Sequence, residues 1–148
     1  MGRLQNSFTG GRGNTCGMLG EIIFHDRYGG ARVGSTSRKY DVVLPDGTKV
    51  DVKAQTTHDK TPQRAGVVRI YAPWESANWI STKCDVYYFI KINRPHTVAR
   101  LLGWVTSEEF LNEAEFTPKG DVCPLDGRRA PTDEFALDVC GLRSISTF

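Results

Sequence analysis

The chain has 148 residues, 39% of them hydrophobic and 24% charged, enough to bury one core without disulfide or metal staples. It holds no run of 18 apolar residues, and Met1–Gly13 is polar and glycine-rich, unlike a signal peptide. The expectation is a cytoplasmic protein of one domain, residues 1–148, with 1–13 a flexible N-terminal segment. Net charge is only +2, but residues 1–70 carry 11 Lys/Arg against 6 Asp/Glu while residues 71–148 carry 8 against 11. Cys16, Cys84, Cys123 and Cys140 form no CxxC pair and have no histidine at finger spacing, so free thiols are favoured over zinc.

In chain order, Asn14–Gly30 reads first as a helix, capped by Asn14 or Thr15 and ended by Gly29–Gly30. Leu19, Ile22 and Ile23 lie at helical spacing and are predicted to pack on a sheet. Glu21 falls near the edge of that stripe, beside Gly17 and Gly20, where a missing side chain lets backbone or ligand come close. Taken alone, Glu21 reads as a surface glutamate on an amphipathic helix.

Tyr40–Gln55 reads next as a β-hairpin. Val42–Leu44 and Val50–Val52 are β-prone runs on either side of a Pro-Asp-Gly turn signal. With Pro45-Asp46-Gly47 as a three-residue loop, Val43 faces Lys49, Val42 faces Val50 and Asp41 faces Asp51. Side chains alternate, so Asp51, Lys53 and Gln55 share one face and Val50, Val52 and Ala54 the other. A two- or four-residue loop would instead pair Asp41 with Val52 and separate the carboxylates. Two like charges directly opposite destabilise a sheet, and a divalent cation between them offsets the repulsion. An acid-x-Lys triplet arises about once by chance in such a chain, so Asp51-Val52-Lys53 alone decides nothing.

Thr56–Gly66 follows as a polar loop, expected to border a substrate groove and to be mobile without its ligand. Val67–Tyr71 is the next predicted strand, and Ala72–Lys83 contains Trp74 and Trp79, whose expected role is packing on the sheet rather than stacking on bases. Asp85–Ile92 is almost continuously apolar, as a central strand covered on both faces should be. Thr97–Val105 fits another strand, and Thr106-Ser107-Glu108-Glu109 resembles a capping box opening a short helix to about Ala114. Phe116–Glu134 is predicted as a long surface excursion, Phe135–Val139 as a last strand, and Leu142–Ile145 as a turn.

Glu21, Asp41, Asp51 and Lys53 resemble, in order and spacing, the signature of the PD-(D/E)XK, or restriction-endonuclease-like, nuclease superfamily. The likeness spans roughly residues 14–55, with weaker agreement near 85–92. Tyr40 replaces the proline that names the motif, and Gln55 occupies a position often polar in that group. The chain looks most like small phage-type endonucleases and junction resolvases. The fold implied is α/β, a single-domain restriction-endonuclease-like fold with a mixed central β-sheet flanked by helices.

The resemblance implies a catalytic set of Glu21, Asp41, Asp51, Lys53 and Gln55. It implies Mg²⁺, with Mn²⁺ able to substitute, held by Glu21, Asp41, Asp51 and the Val52 backbone carbonyl. Such a metal polarises phosphate and lowers the pKa of bound water; Lys53 would orient or deprotonate that water. A plain salt bridge from Lys53 to Asp41 or Asp51 is the structural alternative. The basic half-chain suits the phosphate backbone of DNA, with Arg12, Arg38, Lys39, Lys49, Lys60 and Arg64 as candidate contacts. The expected function is metal-dependent DNA endonuclease activity, with structure-selective junction cleavage as a subclass. The rival is a catalytically inactive nucleic-acid-binding module on the same fold. Cutting both strands with one small site would call for a homodimer.

Overall fold

The computed structural model describes residues 12–32, 40–71 and 84–148. Helix α1 covers Arg12–Tyr28 and is followed by Gly29–Gly30, as the glycine pair predicts. It starts inside the segment expected to be a flexible extension; residues 1–11 lie outside the described residues. Of the residues predicted to face the sheet, Leu19 and Ile23 do so and Ile22 does not. Cys16, Gly20 and Phe24 are buried, Leu19, Ile23 and Tyr28 are half-buried against the same cluster, and Ile22 is 45% exposed. The cause is close packing at Gly20, where an added Cβ would stand 2.7 Å from the Ala54 Cβ. With Gly20 innermost, about 100° per residue turns Ile22 to the far side and leaves Glu21 at the edge of the contact.

After α1 come β1 (Ala31–Arg32), β2 (Val42–Val43), β3 (Lys49–Thr57), β4 (Val67–Tyr71), β5 (Val86–Asn93) and β6 (Ala99–Thr106). Then follow helix α2 (Ser107–Glu113), β7 (Glu115–Thr117) and β8 (Glu134–Asp138). A five-stranded mixed sheet has the order β1-β2-β3-β5-β6, with β3 and β5 parallel and the other neighbours antiparallel. All eight residues of β5 are buried, as expected for a central strand covered on both faces.

On one face of this sheet Val50, Val52, Val86, Tyr88, Ile90 and Ile92 join Cys16 and Phe24 of α1. Phe148 closes that cluster edge-on against Phe24, Tyr88 and Trp104, and the Tyr28 and Tyr88 hydroxyls meet at 2.5 Å. On the other face Tyr87, Phe89, Leu102 and Val105 pack with Phe110 of α2 and with Val68, Ile70, Phe135 and Leu137. Those last four belong to a second, three-stranded antiparallel sheet of order β4-β8-β7. The expected mixed sheet flanked by helices is thus present, with one addition: one face carries α1, the other carries α2 together with a small sheet. Strand β4 was foreseen with the right bounds, but its partner is β8, about 70 residues away along the chain.

The capping box is half realised. Thr106 caps α2, accepting from the Glu109 N–H at 3.1 Å, while the Glu109 carboxylate turns to Arg143 at 2.5 Å. The predicted excursion begins with an ordered piece, β7, and the turns after it bury Cys123 and Ala130. Trp74 and Trp79 lie outside the described residues. Among those described, no helix is long and apolar enough to cross a membrane.

Candidate functional site

The turn between β2 and β3 sets the site. Leu44 N–H donates to Thr48 O at 2.9 Å and Gly47 N–H to Leu44 O at 2.8 Å, closing the loop Pro45-Asp46-Gly47. Gly47 takes φ +89°, the left-handed position that such a loop needs. The register follows: Val42 opposite Val50, Val43 opposite Lys49. At Asp41 the ladder departs from the simple alternation. Its N–H donates to Val50 O at 2.8 Å, so Asp41 and Val42 both oppose Val50, as in a β-bulge. The Asp41 side chain then does what a strand carbonyl would have done, its Oδ2 accepting from the Val52 N–H at 2.8 Å.

This geometry leaves the Asp41 and Asp51 carboxyl groups within hydrogen-bonding reach, with Glu21 of α1 against Asp41. Lys53 Nζ stands 3.3 Å from Asp51 Oδ2; the two side chains are 32% and 14% exposed. The ion pair foreseen as the structural alternative is thus present at Asp51. Glu21 also meets Arg32 at 3.4 Å. Gln55 is half-buried, one step beyond Lys53 on the same face and opposite Lys91 in the β3–β5 register.

Burial pushes Asp41 up to about 6, with the hydrogen bond and charge of Glu21 acting in the same sense. Burial likewise raises Asp51 to about 7; Lys53 works against that rise and Asp41 adds to it. Burial lowers Lys53, but the charges of Asp51 and Asp41 outweigh it and leave the ammonium above the ordinary lysine value. Lys53 faces two of these carboxylates, Asp51 and Asp41, and Arg32 meets Glu21, so three carboxylates share two cations.

Several neighbours were not foreseen. Tyr87 lies opposite Asp51 on β5, and the Cys84 thiol, bonded to the Tyr87 hydroxyl, sits close enough to feel Asp51 and Lys53. Burial, helped by Asp51, drives that thiol up to about 12, so it stays protonated. Alternation along β5 is legible in sequence. Which alternate set faces Asp51 depends on a parallel register that no local turn specifies.

The candidate DNA contacts divide. Arg38 and Lys39 lie outside the described residues, as does the Arg12 side chain at the start of α1. Lys49 is exposed, its ammonium 5.5 Å from the centre of the Tyr40 ring, and Lys60 is exposed on the loop after β3. Arg64 is committed to the fold, donating from Nε to Leu102 O at 2.9 Å and from Nη2 to Leu142 O at 3.5 Å.

The donor chemistry fits a hard divalent cation: carboxylate oxygens crowded until their charged forms are disfavoured, at a place where added positive charge would relieve them. Among the described residues, no group of three His, Cys, Asp or Glu side chains stands where it could hold a metal ion. Asp51 is turned to Lys53, Glu21 to Arg32, and one Asp41 oxygen to the Val52 N–H. In comparisons with known proteins, no family model and no curated protein sequence matches the chain.

Proposed function

We propose that this protein is a metal-dependent endonuclease of the PD-(D/E)XK type that hydrolyses DNA phosphodiester bonds. The supporting observation is the juxtaposition of Asp41, Asp51 and Lys53, produced by the Pro45-Asp46-Gly47 register and joined by Glu21 from α1. Asp41, Asp51 and Glu21 would hold Mg²⁺, with the Val52 carbonyl as a further oxygen. Once bound, the ion supplies Lewis-acid polarisation of the phosphate and a lowered pKa for bound water. Lys53 does the positioning. An ammonium held above its ordinary pKa donates a hydrogen bond and positive charge rather than taking a proton, which suits orienting water and offsetting charge on the phosphoryl oxygens. Gln55 offers a neutral amide along the same line. Cys84 and Tyr87, bonded to each other, lie close enough to Asp51 to feel its charge.

The test is cleavage of supercoiled, linear, single-stranded and four-way-junction DNA with Mg²⁺, Mn²⁺ or EDTA, beside Asp51→Ala and Lys53→Ala. Cleavage should require metal and fall by at least about 100-fold in each variant, the usual loss for a group acting on the transferred proton or oxyanion. Equal cleavage by wild type and variants sinks the site. Binding without cleavage on every substrate establishes the rival, a DNA-binding module in which Lys53 and Asp51 form only an ion pair.

A further inference from the structure

The loop Thr57–Gly66 leaves the same strand that carries Asp51, Lys53 and Gln55, and it is fastened at many points. Lys91 is buried on the central strand, its Nζ donating to Gln63 O at 3.0 Å and Ala65 O at 2.8 Å. Arg100 Nε donates to Pro62 O at 2.8 Å. Asn93, 2% exposed, donates from Nδ2 to Lys60 O at 2.9 Å while its Oδ1 accepts from the Thr97 and Val98 N–H groups at 2.8 and 3.0 Å. Arg94 N–H reaches back to Thr57 O at 3.1 Å. One buried asparagine thus locks the loop after β3 to the β5–β6 turn.

These two segments, residues 57–66 and 91–100, contain Lys60, Arg64, Lys91, Arg94 and Arg100 against the single acid Asp59. Three of the five cations are used on backbone carbonyls, as described. Lys60 and Arg94 are exposed, and so are His58 and His96, the latter in the left-handed region at φ 58°. A buried framework that fixes exposed cations in place lowers the entropy lost when they meet a fixed array of anions.

We propose that this end of the sheet is a second DNA contact, in which Lys60 and Arg94, flanked by His58 and His96, grip the phosphate backbone of the duplex whose scissile phosphate lies at Asp41 and Asp51. The proposal rests on the nuclease reading for the placement of the DNA. Thr57 lies six residues beyond Asp51 along a strand, about 20 Å at the usual rise. A duplex running along β3 covers that span in about six base pairs. The contact therefore belongs to DNA well to one side of the cut.

The test measures affinity in EDTA, where no cleavage interferes, across a salt series. The probes are an about 24-base-pair duplex and a hairpin with an about four-base-pair stem, too short to span both places. Each lost phosphate contact reduces the slope of log K against log salt by about 0.9. Lys60→Ala/Arg94→Ala should therefore flatten the slope on the long duplex by about two, leave it unaltered on the short hairpin, and keep a wild-type melting curve. Lys119→Ala, a distant exposed lysine, is the control. An unaltered slope on the long duplex, or an equal loss on both probes, overturns the proposal. A flattened slope in a protein that cleaves nothing with Mg²⁺ supports this contact while sinking the nuclease reading. Metal-dependent cleavage with an unaltered slope does the reverse.

Discussion

On the α1 side of β3, Val50, Val52 and Ala54 pack into the cluster of Cys16 and Phe24, and the Gly20 backbone lies against Ala54. On the opposite side of the same strand, Asp51, Lys53 and Gln55 stand beside Asp41, Cys84 and Tyr87. The first side lowers the free energy of folding by removing apolar surface from water. The second raises it, holding two carboxylates where ionisation is disfavoured. A strand whose adjacent residues behave oppositely has one face that stabilises the fold and one that holds strain.

The largest effect is expected on the apolar side. Phe24 is fully buried amid Tyr28, Tyr88 and Phe148. Phe24→Ala should cost about 3–5 kcal/mol in denaturant unfolding, the range for a large aromatic removed from a core. A loss below about 1 kcal/mol would mean that α1 is not seated as described.

On the polar side the sign reverses. A carboxyl whose folded pKa lies above its unfolded value contributes stability that is complete below about pH 4. That contribution is lost as pH rises through about 6 to 7, the values to which Asp41 and Asp51 are pushed. The metal-free protein should therefore lose stability across that window, and Asp51→Asn should remove much of the loss, leaving the variant more stable at pH 8 by on the order of 3 kcal/mol. Melting temperatures of the two proteins in EDTA from pH 4 to 8 check this; parallel profiles refute it. Mg²⁺ should raise the melting point of wild type far more than that of the variant.

The smallest effect separates two glycines of one helix. A Cβ at Gly20 meets Ala54 at 2.7 Å, whereas a Cβ at Gly17 meets nothing within 4 Å. Gly20→Ala should destabilise by about 1–3 kcal/mol as α1 is lifted from β3, and should weaken cleavage because Glu21 moves with it. Gly17→Ala should stabilise by up to about 1 kcal/mol through helix propensity alone. Equal behaviour of the two would show that the helix–strand approach is not tight.

Local chemistry was legible wherever a short stretch of chain decides its own conformation. The Pro45-Asp46-Gly47 turn, with Gly47 at positive φ, determined the β2–β3 register and hence which residues of β3 share a face. The glycine pair marked the end of α1, Thr106 its cap on α2, and the unbroken apolar run the central strand β5. Tertiary structure alone decided the rest, because those features depend on segments far apart in sequence. The close approach of Gly20 to Ala54 chose the buried stripe of α1 and sent Ile22 outward. The β-bulge at Asp41 turned an opposed pair into a carboxylate that bonds Val52 N–H and meets Asp51 and Glu21 together. The parallel register of β3 on β5 placed Tyr87 and Cys84 behind Asp51, and the β4-β8-β7 sheet joined α2 in covering one face of the main sheet. Alternation tells a strand which residues go together; only a neighbouring strand tells it which of its two faces will be dry.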